Sequence, residues 1–189
     1  MEISKQNNEN NNENNLYIPP HISKYCVYSS NIILICSTVA FLCNYKIVSL
    51  LLLCLYITSN LYWRNPVFNG TIKKIDIFFV FLTFGYLIYR SFGFKEKYRK
   101  IWITTVLIVL VIAIINEALY CFKIVGVFKD DNIEGLDNKR EFGYFTLDYT
   151  YPNTPEREKA CYFSVIVHCL FTHILPSITG MYCIMMNPV

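Results

Sequence analysis

Val106-Leu107-Ile108-Val109-Leu110-Val111-Ile112 is a run of seven aliphatic residues with no polar side chain at any position. A helix built from it has no water-facing stripe, so it belongs either deep in a large core or in lipid. The apolar run extends outward over 101–120. That is the length that crosses a hydrocarbon layer of roughly 30 Å, for which about 20 helical residues are needed. Four further runs of comparable size occupy 26–43, 47–63, 75–91 and 160–185. Their β-branched residues would suit strands, but each run is two to three times the length of an ordinary strand, and helices are expected. Pro176 and Gly180 lie inside the last run as expected kink points.

Charge placement supports the membrane reading. Between Cys26 and Trp63 the only charged residue is Lys46, and none follows Ala160. With 54% hydrophobic and 16% charged residues among 189, the chain is neither disordered nor an ordinary small soluble domain. The net charge of +3 is small, and the basic residues sit at the ends of apolar runs rather than on one face. Nucleic-acid binding is therefore not expected. The lipid bilayer is the expected partner, with membrane-protein partners or further copies of the chain as additional possibilities.

Residues 1–25 read as a disordered tail, because Gln6 to Asn15 contains nothing apolar to offset the entropy of ordering. A polar, acidic tail before the first apolar run does not resemble a cleaved signal, and the first helix is expected to act as a signal anchor. Residues 26–189 then form the transmembrane domain, with one sizeable extramembrane loop at about 121–159 whose stretch from Phe142 to Tyr151 is rich in aromatic residues. Those rings suit either the membrane interface or a lid over an opening between helices.

With five spans, the tail, the second loop and the long loop share one side, face A. Face B holds the tight turn around Asn44-Tyr45-Lys46, the turn around Lys95 and the C-terminus. Short loops alone, through Arg90, Lys95, Lys97, Arg99 and Lys100, favour face B as cytoplasmic, whereas counting the long loop favours face A. The sequon Asn69-Gly70-Thr71 would be an acceptor only if face A is lumenal.

Ionisable residues inside a bilayer are costly, which makes them the first places to look for function. Threading the helices alternately puts Ser59, Tyr62 and Trp63 at the face A end of the second helix, Asp76 at the start of the third and Asn116 and Glu117 near the end of the fourth. His168 lies about two turns into the fifth. Ser59, Asp76 and Glu117 are the catalytic candidates, and His168 and His173 are the metal candidates. At 100° per residue, His168 and His173 stand about 140° apart on an α-helix, whereas Cys169 and His173 share a face and could ligate zinc as thiolate and imidazole. The same polar groups also admit a bland explanation, since polar residues gather at helix ends, and intramembrane Cys/His pairs commonly serve packing and hydrogen bonding.

Ser59-Asn60-Leu61-Tyr62-Trp63, Lys74-Ile75-Asp76 and His168-Cys169-Leu170-Phe171-Thr172-His173 together resemble the motif set of the alkaline ceramidase and adiponectin-receptor-like (CREST-type) membrane hydrolases. That resemblance implies a serine on the second helix, an aspartate early in the third and histidines on the last around a zinc ion, with Ser59, Asp76, His168 and His173 in those places. Trp63 stands where the family has a zinc-binding histidine, the last two histidines are one residue further apart than in the family, and five spans replace seven. The Asn tract and the preference for Lys and Ile resemble proteins of AT-rich genomes, such as those of amoebae and the giant viruses that infect them.

The eight cysteines contain no C-x-x-C pair and no regular spacing, which excludes a zinc ribbon or disulfide framework. Cys121 and Cys161 bracket the long loop and would pair only on an oxidising face. The expectation is an all-α, multi-pass bundle of about five transmembrane helices in an endomembrane or host membrane. Its first functional reading is interaction within, or remodelling of, that membrane with no established enzymatic role; no cofactor is expected, with zinc as the possible one. The alternatives are a zinc-dependent or degenerate lipid-amide hydrolase, and a small channel with Glu117 and Asp76 as pathway carboxylates.

Overall fold

The computed structural model describes residues 18–67, 70–125 and 155–188, except for the side chains of 117–125, 156 and 157. The described chain is an all-α bundle: α1 (Pro20–Leu42), α2 (Lys46–Arg64), α3 (Thr71–Ser91), α4 (Glu96–Val125), and a last long helix made of α5 (Pro155–His168), a π-helical stretch (Cys169–Ile174) and α6 (Leu175–Met185). Four of these are long and apolar enough to cross a membrane by length and composition: α1, α2, the Glu96–Asn116 part of α4, and Glu158–Met185.

The expected fifth span, α3, is not among the four. It carries Lys73, Lys74, Asp76 and Arg90. Even so, α3 covers the same depth as α2, because Asp76 meets Thr58 near one end and Arg90 lies over Tyr45 at the other. Its 21 residues rise about 31 Å.

Local sequence sets the ends. Proline is tolerated in the first helical turn, where its missing N–H has no intrahelical partner to lose. Pro20 accordingly opens α1, six residues earlier than the apolar run begins, so residues 20–25 belong to the helix and not to the tail. Asn44 takes a left-handed φ of 64° in the turn to α2, a conformation that asparagine adopts more readily than most residues. Pro66 follows the end of α2. The α3–α4 turn is tight, with the Gly93 and Phe94 amides bonded to Arg90 and Ser91 carbonyls.

α1 is the central element. Its buried face is a stripe of mostly small residues, Ser23, Cys26, Ser30, Cys36, Ser37 and Ala40. In lipid there is no hydrophobic gain from burying one apolar helix against another, so close backbone approach and interhelical hydrogen bonds carry association. The antiparallel α1–α2 pair is joined in this way by Asn60 Nδ2 donating to Ser30 Oγ (2.8 Å), Tyr56 to Asn31 (3.3 Å) and Ser37 to the Ser49 carbonyl (2.8 Å). The last helix runs parallel to α1, with Tyr25 meeting Tyr162 toward one end and Cys26 and Ser29 meeting Cys169 and His173 further along.

Large apolar side chains point outward all around. Leu50, Phe81, Leu107 and Ile114 are 60%, 67%, 57% and 60% exposed, an arrangement that suits lipid and not water. Inside, Trp102 is the largest fully buried side chain among the described residues. It stacks on Phe84 (6.0 Å between centroids, 11° between planes) against Gly180.

Candidate functional site

The two histidines of the last helix come together, contrary to the 140° separation expected of an α-helix. Their ring centroids are 4.9 Å apart in an edge-to-face contact. The cause is the π-helical stretch Cys169–Ile174. Pro176 has no N–H to donate and its ring collides with the carbonyl four residues back, and a wider i→i+5 turn relieves both. In that turn residues five apart stand one above the other. The expected kink point at Pro176 thus lies just after a widened turn, and the histidine pair is that turn's consequence.

Around the pair, the structure assembles side chains from three helices. The Trp63 ring lies 4.9 Å from that of His168, and Tyr62 packs on Trp63 at 4.9 Å. Ser29 Oγ shares a 2.7 Å hydrogen bond with His173 Nδ1 and lies 3.2 Å from the Cys26 carbonyl. Thr172 Oγ1 is 3.3 Å from His168 Nδ1. The Cys169 thiol donates to Cys26 Sγ at 3.6 Å rather than turning with His173 toward a common ligand, so the expected Cys169–His173 ligand pair is not formed.

Zinc, which the family resemblance implies, has no fitting donor set here. Among the described residues no three His, Cys, Asp or Glu side chains are arranged to hold a metal ion. A zinc site needs three or four converging N, S or O donors. Here an indole occupies the third position, and Ser29 engages the Nδ1 of one imidazole.

The remaining site candidates separate. Ser59 is buried, but among the described residues no hydrogen bond joins it to Asp76 or to either histidine. Asp76, also buried, accepts a 2.8 Å hydrogen bond from Thr58. Thr58 and Ser59 are about 100° apart on α2, so Asp76 addresses the α2–α3 seam while Ser59 shares a face with Trp63. Asn116 donates to the carbonyl and hydroxyl oxygens of Ser164 at 3.1 Å, fastening α4 to α5. The Glu117 side chain, the 126–154 part of the long loop, the Cys121 thiol and the sequon asparagine lie outside the described residues.

Ser29 was not singled out by sequence reasoning, although Ser29-Ser30-Asn31 is a polar trio inside an uncharged run, and that signal could have found it. A Ser–His pair at 2.7 Å has the outline of a nucleophile and its base. The serine has a single proton, however, and when it goes to the Cys26 carbonyl, Nδ1 must carry the ring hydrogen, the reverse of what a general base needs.

Two cavities open at the ends of the bundle instead. On face A, a groove of about 590 Å³ lies between α1 and α5, crossed by a 2.8 Å His21–Glu158 contact and lined by Lys24, Tyr25 and Tyr162. On face B, a cavity of about 400 Å³ is lined by Tyr45, Arg90, Gly93, Phe94, Lys95, Met186, Asn187 and Pro188. Burial pushes the Tyr45 hydroxyl's pKa up, against the opposing pull of Arg90.

No protein-family model, curated protein or solved structure matches the chain. The helices are those of a membrane protein; its activity has to be argued from its own residues.

Proposed function

We propose that this chain is a non-catalytic, multi-pass membrane protein that acts through contacts made within an endomembrane or host membrane. In this reading, the polar residues near face A hold α1 and α2 against the last helix. The observation that carries it is that both imidazoles are engaged by neighbouring helices, His168 by the Trp63 ring and His173 by the Ser29 hydroxyl, while neither cavity described above is lined by either histidine. Catalysis on a lipid requires an opening for the reacting bond beside the catalytic groups.

A second reading is a degenerate relative of the CREST-type hydrolases. It is supported by the coincidence of Trp63, His168 and His173 at one spot, where the resemblance would place three histidines. The two readings share the prediction that the native protein neither holds zinc nor cleaves lipid amides, and they differ for Trp63→His.

The test is metal content by mass spectrometry, together with fatty-acid release from a ceramide substrate, on detergent-purified wild type, Ser59→Ala, Asp76→Ala, His168→Ala, His173→Ala and Trp63→His. Wild type without metal and without hydrolysis supports the non-catalytic reading. About one zinc per chain, lost in either histidine variant, or hydrolysis lost on Ser59→Ala or Asp76→Ala, would overturn it. Zinc gained only by Trp63→His would favour the degenerate hydrolase as ancestry.

A further inference from the structure

The face B cavity is used by neither reading. Four helix ends surround it: the α1–α2 turn supplies Tyr45, the last turn of α3 supplies Arg90, the α3–α4 turn supplies Phe94 and Lys95, and the segment after α6 supplies Asn187. We propose that this cavity binds the phosphate-bearing headgroup of an anionic membrane phospholipid, with Arg90 and Lys95 as the cationic contacts. The inference rests on the chain being a membrane protein, and adds a ligand to it.

The Arg90 guanidinium and the Lys95 backbone are held in place by their surroundings. The Arg90 guanidinium lies 5.5 Å from the centroid of the Tyr45 ring. That ring is buried, packs edge-on against Phe94 at 6.1 Å, and bonds through its hydroxyl to the Asn187 carbonyl. The Lys95 backbone N–H donates to Asn187 Oδ1 at 2.9 Å, while Asn187 Nδ2 donates to the Cys183 carbonyl at 2.8 Å. A guanidinium steadied over a ring loses little freedom on meeting phosphate, and its planar fork matches two phosphate oxygens.

The charge around the cavity is one-sided. Lys46, Arg90, Lys95, Lys97, Arg99 and Lys100 all lie at this end, against a single carboxylate, Glu96. Glu96 is paired with Lys100 at 2.6 Å and does not line the cavity. Among the described residues no other carboxylate side chain lines the cavity with Arg90 and Lys95.

The apolar part of the wall matches the rest of a lipid. Phe94, Met186 and Pro188 line the cavity. Leu42, Tyr89, Phe92 and Met185 stand exposed nearby at 74%, 69%, 65% and 51%. A volume of about 400 Å³ is in the range of small-molecule sites and accommodates a headgroup with its glycerol, leaving the acyl chains against the exposed rim. Basic pockets between helix ends, at the level of the headgroups, recognise anionic lipids by this combination of charge and apolar contact.

The experiment uses the full chain purified in neutral detergent and titrated calorimetrically with dioctanoyl phosphatidate, dioctanoyl phosphatidylcholine or inorganic phosphate. Wild type is expected to bind the phosphatidate at least about tenfold more tightly than the other two, and Arg90→Gln and Lys95→Gln each to weaken it by about tenfold. Lys100→Gln, which removes a cation already paired outside the cavity, is expected to leave binding unchanged. Lys95 is exposed, so its substitution tests the site without endangering the fold. Equal binding of inorganic phosphate would overturn the lipid assignment, and unchanged binding in both cavity variants would overturn the site. Alkaline carbonate extraction of the reconstituted protein is run alongside. A chain that resists extraction but ignores phosphatidate refutes this inference alone, whereas a chain released from the vesicles refutes the membrane reading beneath it.

Discussion

Replacing Ser29 with alanine tests whether the histidine cluster is a structural joint. The substitution removes the 2.7 Å hydrogen bond to His173 Nδ1 and leaves a buried imidazole without that partner. An orphaned polar group in a protein interior costs about 1–3 kcal/mol. In bilayers, interhelical hydrogen bonds average nearer ~0.6 kcal/mol, because the unfolded helices find other partners in the membrane. The two ranges meet near ~1 kcal/mol, which is the expected loss for Ser29→Ala. His173→Phe keeps the ring volume and removes the group that would be orphaned. The double variant is therefore expected to be less destabilised than the sum of the singles by about 1 kcal/mol. The assay is reversible unfolding in mixed micelles of neutral detergent and dodecyl sulfate, followed by helical circular dichroism, on wild type, both singles and the double. Additivity within about 0.3 kcal/mol would refute the joint.

Gly180→Val is expected to cost about 1–3 kcal/mol by overpacking, since a Cβ there already meets Trp102 Cζ3 at 3.4 Å, whereas Gly85→Ala, with nothing within 4 Å of its Cβ, is expected to be neutral or slightly stabilising; thermal unfolding in detergent compares the two. Pro176→Ala restores an N–H where the widened turn accommodates its absence, so the turn is expected to retighten to an α-helix and carry His173 away from Ser29. The Ser29–His173 coupling energy, measured again on that background, should then fall to near zero, and an undiminished coupling would show that proline does not cause the π stretch.

The helices were legible because their signal is redundant: Val106 to Ile112 and the uncharged runs around Lys46 and after Ala160 say the same thing by composition, length and charge. Helix ends were less legible, since polar first turns such as Pro20 to Lys24 and Glu96 to Lys100 carry no apolar periodicity. α3 lay between these cases, its charges arguing against a span while its packing gives it the full depth of α2. The site was harder for a different reason. The candidate residues were selected by type; the structure brings His168 and His173 together and buries Asp76 against Thr58, an arrangement that depended on a backbone register that a fixed 100° per residue cannot express. Pro176 was visible and its consequence was not, because a proline inside a helix can be met by a break, a bend or a widened turn, and the choice among them is made by what the turn packs against. Here α1 presents Cys26 and Ser29 to receive Cys169 and His173, and the wide turn lets both contacts form at once. The sequence features that look most like a metal site are in this way drawn into the contact between two parallel helices. The face B end is a different kind of place, where charge is unbalanced and the helices leave room for a ligand.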